Sequence, residues 1–349
     1  MVFCFAGCFR THKSGTYGNL DCRQASLARQ LDTPAGMVEY LQKQNLRELE
    51  LVEAWKNEYG PGIKLTTAHY EVLTTLLEPL MLRAIPEFVE SAYRIYNSQL
   101  AKPIETTTKF TIYLFADRRQ WEDFTKGFAG DKAELFLKIK AGAYYLNDAC
   151  VTYNIGIERT FTALGHEGWH QFNSRLFKFR LPSWLDEGVA MLFEAYKSEQ
   201  GVISFEPADN TYRLDELKNT LIKNKMIPLR ELITINPGEV LASDESEAVM
   251  AFYSQSYALV RFLREAGYEK RLNNYRRLLL DGLKGDWPLN ETSKRIAIDR
   301  NLPRTVQWNR AVGQLLFKLY IGDDFEQIEK EYLVFCRQII YQSKLKTQD

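Results

Sequence analysis

The chain has 349 residues, 45% of them hydrophobic and 26% charged, which is enough for one large domain or two lobes around a substantial core. Lysine plus arginine and aspartate plus glutamate both total 45, so there is no basic excess to suit a nucleic-acid partner. No run approaches the roughly 18 apolar residues of a transmembrane helix, which still leaves a lipid anchor to consider.

That question arises at once. Met1–Cys8 is short and apolar and ends Phe5-Ala6-Gly7-Cys8, similar to the end of a bacterial lipoprotein signal, where a cysteine after small residues is lipidated. It lacks the basic region and the length of a complete signal, which a start upstream of Met1 would supply. Read as a signal, it implies a lipid anchor at Cys8 and a place in the cell envelope; read as accident, it leaves the cytoplasm. Cys4, Cys8, Cys22, Cys150 and Cys336 contain no CxxC pair and define no disulfide framework, and Cys150 and Cys336 read as buried thiols.

Residues 9–34 are polar and read as an arm. Residues 35–58 carry Met37, Leu41, Val52 and Trp55 at mostly helical intervals, and Tyr59-Gly60-Pro61-Gly62 then breaks the pattern. The expected boundary falls there: an N-terminal arm and helical extension over 1–60, then a main domain over 61–285. Within 61–156 the expected order is a strand at 63–67, a long helix over 72–99 with Pro79 and Pro86 in it, a strand at 109–115 and a helix opened by Asp117. A short helix over 131–139 follows, then two strands, 141–146 and 149–154, joined by Asn147-Asp148. Such an order describes an α/β lobe with a small mixed sheet. From 157 to 285 the chain reads as mostly helical, with helices at 157–176, from Pro182 to about 197, 209–224, 244–266 and 268–283, and a short hairpin strand at 201–205. Residues 286–349 read as a C-terminal helical segment, with helices at 305–319 and 323–342, packed on the main domain. The fold class expected is α+β.

The helix at 157–176 contains His166-Glu167-Gly168-Trp169-His170, two of the four histidines of the chain. Positions i and i+4 share a helix face, so both imidazoles can aim at one point. That arrangement suits zinc, with Glu167 placed to act as general base toward a water the metal activates. Catalytic zinc sites take three protein ligands, and His12 and His69 lie far upstream in ordinary contexts. The third ligand must then be a carboxylate. Glu187, 17 residues beyond His170 on the next predicted helix, leads, with Asp186 and Glu194 as competitors.

At these residues the chain resembles the gluzincin zinc metallopeptidases, and most closely the bacterial peptidase MA-like proteins. The likeness lies in His-Glu-x-x-His followed by Leu181-Pro182-Ser183-Trp184-Leu185-Asp186-Glu187-Gly188-Val189-Ala190. It implies a zincin-like fold, one zinc ion on His166, His170 and Glu187, and a peptide or protein substrate. The family often carries a tyrosine on a later helix, matched by Tyr253-Ser254-Gln255-Ser256-Tyr257-Ala258-Leu259-Val260. A phenol beside the oxyanion formed on water attack would stabilise it; Tyr253 is the first choice and Tyr257, one turn on, the second. The resemblance also implies that the strand before the histidine helix offers main-chain partners to an extended substrate, here Gly142, Ala143, Tyr144 and Tyr145. One position departs: an acidic residue found in some gluzincins four places after the third ligand is Met191 here. The competing expectation is a non-catalytic envelope or scaffold protein that keeps zinc for stability, against which the presence of Glu167 argues.

Overall fold

The computed structural model describes residues 31–140, 142–238, 246–300 and 305–345. Cys4, Cys8, Cys22 and His12, and with them the lipid-anchor reading, lie outside the described residues. The described chain forms two compact units. The first draws on Met1–Arg94, Glu105–Gln171 and Ser198–Ile203, the second on Ile95–Ile104, Phe172–Lys197 and Ser204–Asp349. It is mixed α+β, as expected.

In the first unit, helix α1 (Pro34–Lys43) has its first turn capped by the Thr33 hydroxyl, which accepts from the Gly36 amide. A six-stranded sheet follows, built from β1 (Leu51–Trp55), β2 (Gly62–Thr66), β3 (Tyr70–Thr74), β4 (Phe110–Phe115), β5 (Ala143–Leu146) and β6 (Ala149–Tyr153) in the order β1-β2-β3-β4-β6-β5. The pairs β3–β4 and β4–β6 are parallel and the rest antiparallel.

Two helical expectations are corrected here. Residues 51–55 are an edge strand, with Leu51 opposite Thr66 and Trp55 opposite Gly62. Leu51, Val52 and Trp55 fit a helix stripe equally well, and five residues are too few for periodicity to decide. Tyr59–Gly62 is the β1–β2 connection, organised by the Asn57 side chain, which accepts from the Tyr59 and Gly60 amides. Residues 70–74 are likewise a strand, with Tyr70, Val72 and Thr74 buried in alternation. The long helix, α2 (Pro79–Asn97), starts only at Pro79 and passes through Pro86.

Helices α3 (Arg118–Ala129) and α4 (Ala133–Leu137) cover one face of the sheet. Asp117 caps α3 by accepting from the Gln120 amide. Phe115, Val151 and Tyr153 face Trp121, Phe124 and Phe136 in that layer. By the two-residue alternation of a strand, Phe110 turns to the opposite face, where it meets Tyr93 of α2. Because both faces are covered, all five residues of β6 are buried, which is why the strand reads as a nearly unbroken apolar run. Asn147 and Asp148 join β5 to β6 with φ of 47° and 64°, the left-handed pair of a two-residue hairpin turn. Helix α5 (Ile157–Leu176), bearing the two histidines, stacks Phe161 on Phe88 of α2 at 4.4 Å.

In the second unit α6 (Ser183–Ala190) is shorter than its apolar pattern suggests. It tightens into a 3-10 turn over Met191–Phe193 and gives way to the hairpin β7 (Tyr196–Glu199) and β8 (Val202–Phe205). The Asn210 side chain takes the Met191 carbonyl at the point where the helix stops. Then come α7 (Thr211–Ile222), the short α8 (Leu229–Leu232), α9 (Ser246–Glu265), α10 (Tyr268–Lys284), α11 (Glu291–Ile298), α12 (Thr305–Tyr320) and α13 (Phe325–Leu345). The sequence reading missed α8 and α11, of four and eight residues. Cys150 and Cys336 are buried free thiols. Among the described residues no helix is long and apolar enough to cross a membrane.

Helices α6 and α9 pack with almost no space between them at Gly188. A Cβ there would stand 2.5 Å from the Ser256 carbonyl oxygen and 2.5 Å from Val260 Cγ2. Backbone cannot step aside as a flexible side chain can, so Gly188→Ala forces the helices apart. The expected cost is about 1–3 kcal/mol, read as a lower urea midpoint; an unchanged midpoint would mean the helices separate freely.

Candidate metal centre

His166 and His170 sit one turn apart on α5 and are 1% and 4% exposed. Their Nε2 atoms are 3.2 Å apart. Ligands about 2.0–2.1 Å from a tetrahedral zinc lie about 3.3 Å from one another. The imidazole pair is therefore already at the separation that one shared ion imposes. Glu187 of α6, 0% exposed, completes the group: one ligand atom from each of the three residues lies within 4.8 Å of the others. The set could hold a metal ion. Two neutral imidazoles and a carboxylate are a donor set that suits zinc, and the charge of a dication offsets the burial of carboxylates at Glu187 and at the neighbouring Glu167, 2% exposed.

The other two carboxylates considered are occupied elsewhere. Asp186 accepts from Asn173 Nδ2 at 2.6 Å, a link between the end of α5 and the start of α6. Glu194 accepts from the Nη2 and Nε of one edge of the Arg213 guanidinium, at 2.8 and 2.9 Å, and from Asn210 Nδ2 at 2.8 Å. His69 also has a different role: its Nδ1 lies 2.7 Å from Glu90 Oε2 and its ring stacks on Tyr93.

The scaffolding of the ligands was not visible in the motif. Gln171, the residue after the second histidine, is 0% exposed and donates from Nε2 to the carbonyls of Thr111 and Asp148, both at 2.9 Å. It also receives the Cys150 thiol at 3.5 Å. This side chain ties α5 to strand β4 and to the β5–β6 turn, so the histidine face cannot rotate without breaking two partly buried hydrogen bonds. A polar residue directly beside a ligand histidine, on the face turned to the sheet, is the only signal the sequence offered. On the α6 side, Asn309 accepts from the Ser183 amide at 2.9 Å and donates to its hydroxyl at 2.7 Å. Helix α12, in the C-terminal segment expected to pack on the main domain, thus holds the first turn of the helix that carries Glu187.

Cys150 is close to this chemistry but unfit for it. Burial, and then the charge of Glu167, push its thiol well above the ordinary range, so it stays a protonated core residue.

The two candidate tyrosines are distinguished by their hydroxyls. Tyr257 donates to the Pro207 carbonyl and receives Arg261 Nη1 at 3.0 Å, and burial pushes its pKa up to about 12. Its hydroxyl is thereby used within the core. Tyr253 is buried with its ring 5.5 Å from the Arg213 guanidinium carbon. It lies one turn before Ser256, where α9 touches α6 beside Glu187.

Strand β5 is at the edge of the sheet, paired on one side with β6. The Tyr144 side chain is in the core, stacked on Phe136 at 4.3 Å with its hydroxyl 2.9 Å from Thr125 Oγ1. Ala143 is buried too, and the Gly142 carbonyl accepts from Thr152 Oγ1. Tyr145 and Leu146, the rest of the strand, are half-buried.

A scan against protein-family models and a search of curated proteins find no match to the chain.

Proposed function

We propose that this protein is a zinc-dependent peptidase of gluzincin type with a zincin-like fold. The observation that carries the reading is the buried convergence of His166 Nε2, His170 Nε2 and the Glu187 carboxylate, with Glu167 between the two histidines on one helix. A bound zinc ion would supply Lewis-acid polarisation of a water and of the scissile carbonyl. Glu167 accepts the proton of the attacking water and returns it to the leaving amine. Tyr253 donates its hydroxyl to the developing oxyanion, and the edge strand β5 offers main-chain hydrogen bonds to an extended peptide. Gln171, Asn173 and Asn309 keep the ligand-bearing helices in register without touching substrate.

The nearly complete burial of all three ligands supports a second reading, a zinc site kept for stability alone. Structural zinc sites are closed by four protein ligands, whereas the metal-ligand group found among the described residues has three. That difference favours catalysis. The discriminating experiment is metal analysis of the purified protein with digestion of a mixed peptide library read by mass spectrometry. One zinc per chain and chelator-sensitive cleavage are expected, and Glu187→Ala should lose most of the bound zinc. Zinc without cleavage would establish the second reading, and absence of zinc would end both.

Tyr253→Phe is expected to lower kcat about a hundredfold with zinc retained, the usual loss for one oxyanion donor. Tyr257→Phe should leave kcat near wild type and cost about 1 kcal/mol of stability through its bond to Pro207. The reverse ranking in steady-state kinetics would exchange the roles.

A further inference from the structure

The second unit contains a recess of about 290 Å³, none of whose lining residues belongs to the candidate metal centre. Its walls carry charges of both signs that do not meet. Arg264, at the end of α9, and Arg276, on α10, both line it, and among the described residues neither has a carboxylate within ion-pair distance. Glu206 lines it as well and is likewise in no ion pair among the described residues. The remaining carboxylate in the wall, Glu265, is already neutralised by Arg261, which grips both its oxygens at 2.8 Å. The recess is thus left with two guanidinium groups and one carboxylate held apart. The buried Tyr275 lines the recess as well, its hydroxyl donating to Gln99 Oε1 at 3.3 Å. Both arginine charges act on that hydroxyl against the burial that raises its pKa. Leu272 and Pro207 add apolar wall.

Opposite charges that share a small recess without collapsing onto each other suit a ligand that is itself a dipole. We propose that this recess binds a free amino acid with an apolar side chain: the α-carboxylate on Arg264 and Arg276, the α-ammonium at Glu206, and the side chain against Leu272 and Pro207. Two guanidinium groups offer the forked N–H donors that carboxylates prefer. A simple anion would satisfy the arginines and leave Glu206 repelling it. The site is independent of the metal centre and of the peptidase reading, and if that reading holds it lies apart from the zinc ligands, where a released product could be sensed.

The test is calorimetric titration of the full chain with L-leucine, N-acetyl-L-leucine, L-leucinamide and inorganic phosphate. L-leucine should bind at least tenfold more tightly than any of the other three. Arg264→Gln and Arg276→Gln should each weaken leucine tenfold or more, Glu206→Gln should abolish the preference over N-acetyl-leucine, and Glu167→Gln should bind leucine as wild type does. All four side chains except the buried Glu167 are at least partly exposed, and unaltered circular dichroism would show that the variants fold. No leucine binding by wild type, binding that survives both arginine variants, or equal binding of phosphate or N-acetyl-leucine would overturn the proposal.

Discussion

Glu167→Gln is expected to abolish peptide hydrolysis while leaving zinc bound. The substitution keeps the size of the side chain and its place on α5, between two histidines whose Nε2 atoms stand 3.2 Å apart. It removes one capacity, that of accepting a proton. A positioned general base contributes about 10²–10⁴-fold, and in this reading the same group also returns the proton to the leaving amine, so the loss should fall at the upper end of that range. Because Glu167 is not in the ligand set, zinc content should stay at one per chain. The glutamine is also uncharged in a site where Glu187 remains buried, so stability should hold or rise slightly. The measurement is kcat/KM on a library-derived substrate beside zinc content for both proteins. A variant that cleaves within tenfold of wild type would remove Glu167 from the mechanism, and one that loses zinc would make it a ligand.

The metal group was legible because its signal is local and chemically narrow. Two histidines at helical spacing specify their own geometry, and the count that such sites need called for a carboxylate as third member, with Glu187 ahead of Asp186 and Glu194. The structure places Glu187 with them and finds other partners for Asp186 and Glu194. Gln171 and Asn309 were not legible. A buried amide acquires its meaning from the carbonyls it finds, here on β4 and the β5–β6 turn for Gln171 and at Ser183 for Asn309, and those meetings are long-range. The strands at 51–55 and 70–74 failed for a related reason. Leu51–Trp55 is a strand because β2 lies beside it; alone, its five residues satisfy both periods. Conversely β4, β6 and the Asn147-Asp148 turn were read correctly, since a strand buried on both faces and a two-residue left-handed turn leave marks in their own residues. The early end of α6 depends on Asn210, nineteen residues past Met191, and no local breaker announces it.

Arg213→Met is expected to be the most destabilising single change in the second unit, at about 3–5 kcal/mol. Arg213 donates from Nε and Nη2 to Glu194 and from Nη1 to Glu216 at 2.8–2.9 Å, and all three side chains are less than a tenth exposed. Methionine fills most of the volume but leaves two carboxylates in a buried site without their shared counter-charge, Glu194 keeping the bond from Asn210 and Glu216 that from Tyr212. The pH dependence distinguishes this cause from lost packing. Burial already raises the Glu216 carboxyl above its ordinary range, and Arg213 is what pulls it back. Without the guanidinium the folded-state pKa moves higher still, while the unfolded value does not change. A carboxyl raised on folding costs stability as pH rises from the unfolded value through the folded one, and that cost vanishes once both states are protonated. The deficit of the variant should therefore be full at pH 7 and shrink toward pH 5, whereas a packing defect would persist at both. Urea unfolding at the two pH values measures it. Arg213→Met combined with Glu194→Gln and Glu216→Gln should recover much of the loss, since no buried charge then lacks an answer. A single variant that loses the same amount at pH 5 and pH 7 would show that the guanidinium acts as a packed side chain, beside Tyr253, and not as the counter-charge of the pair.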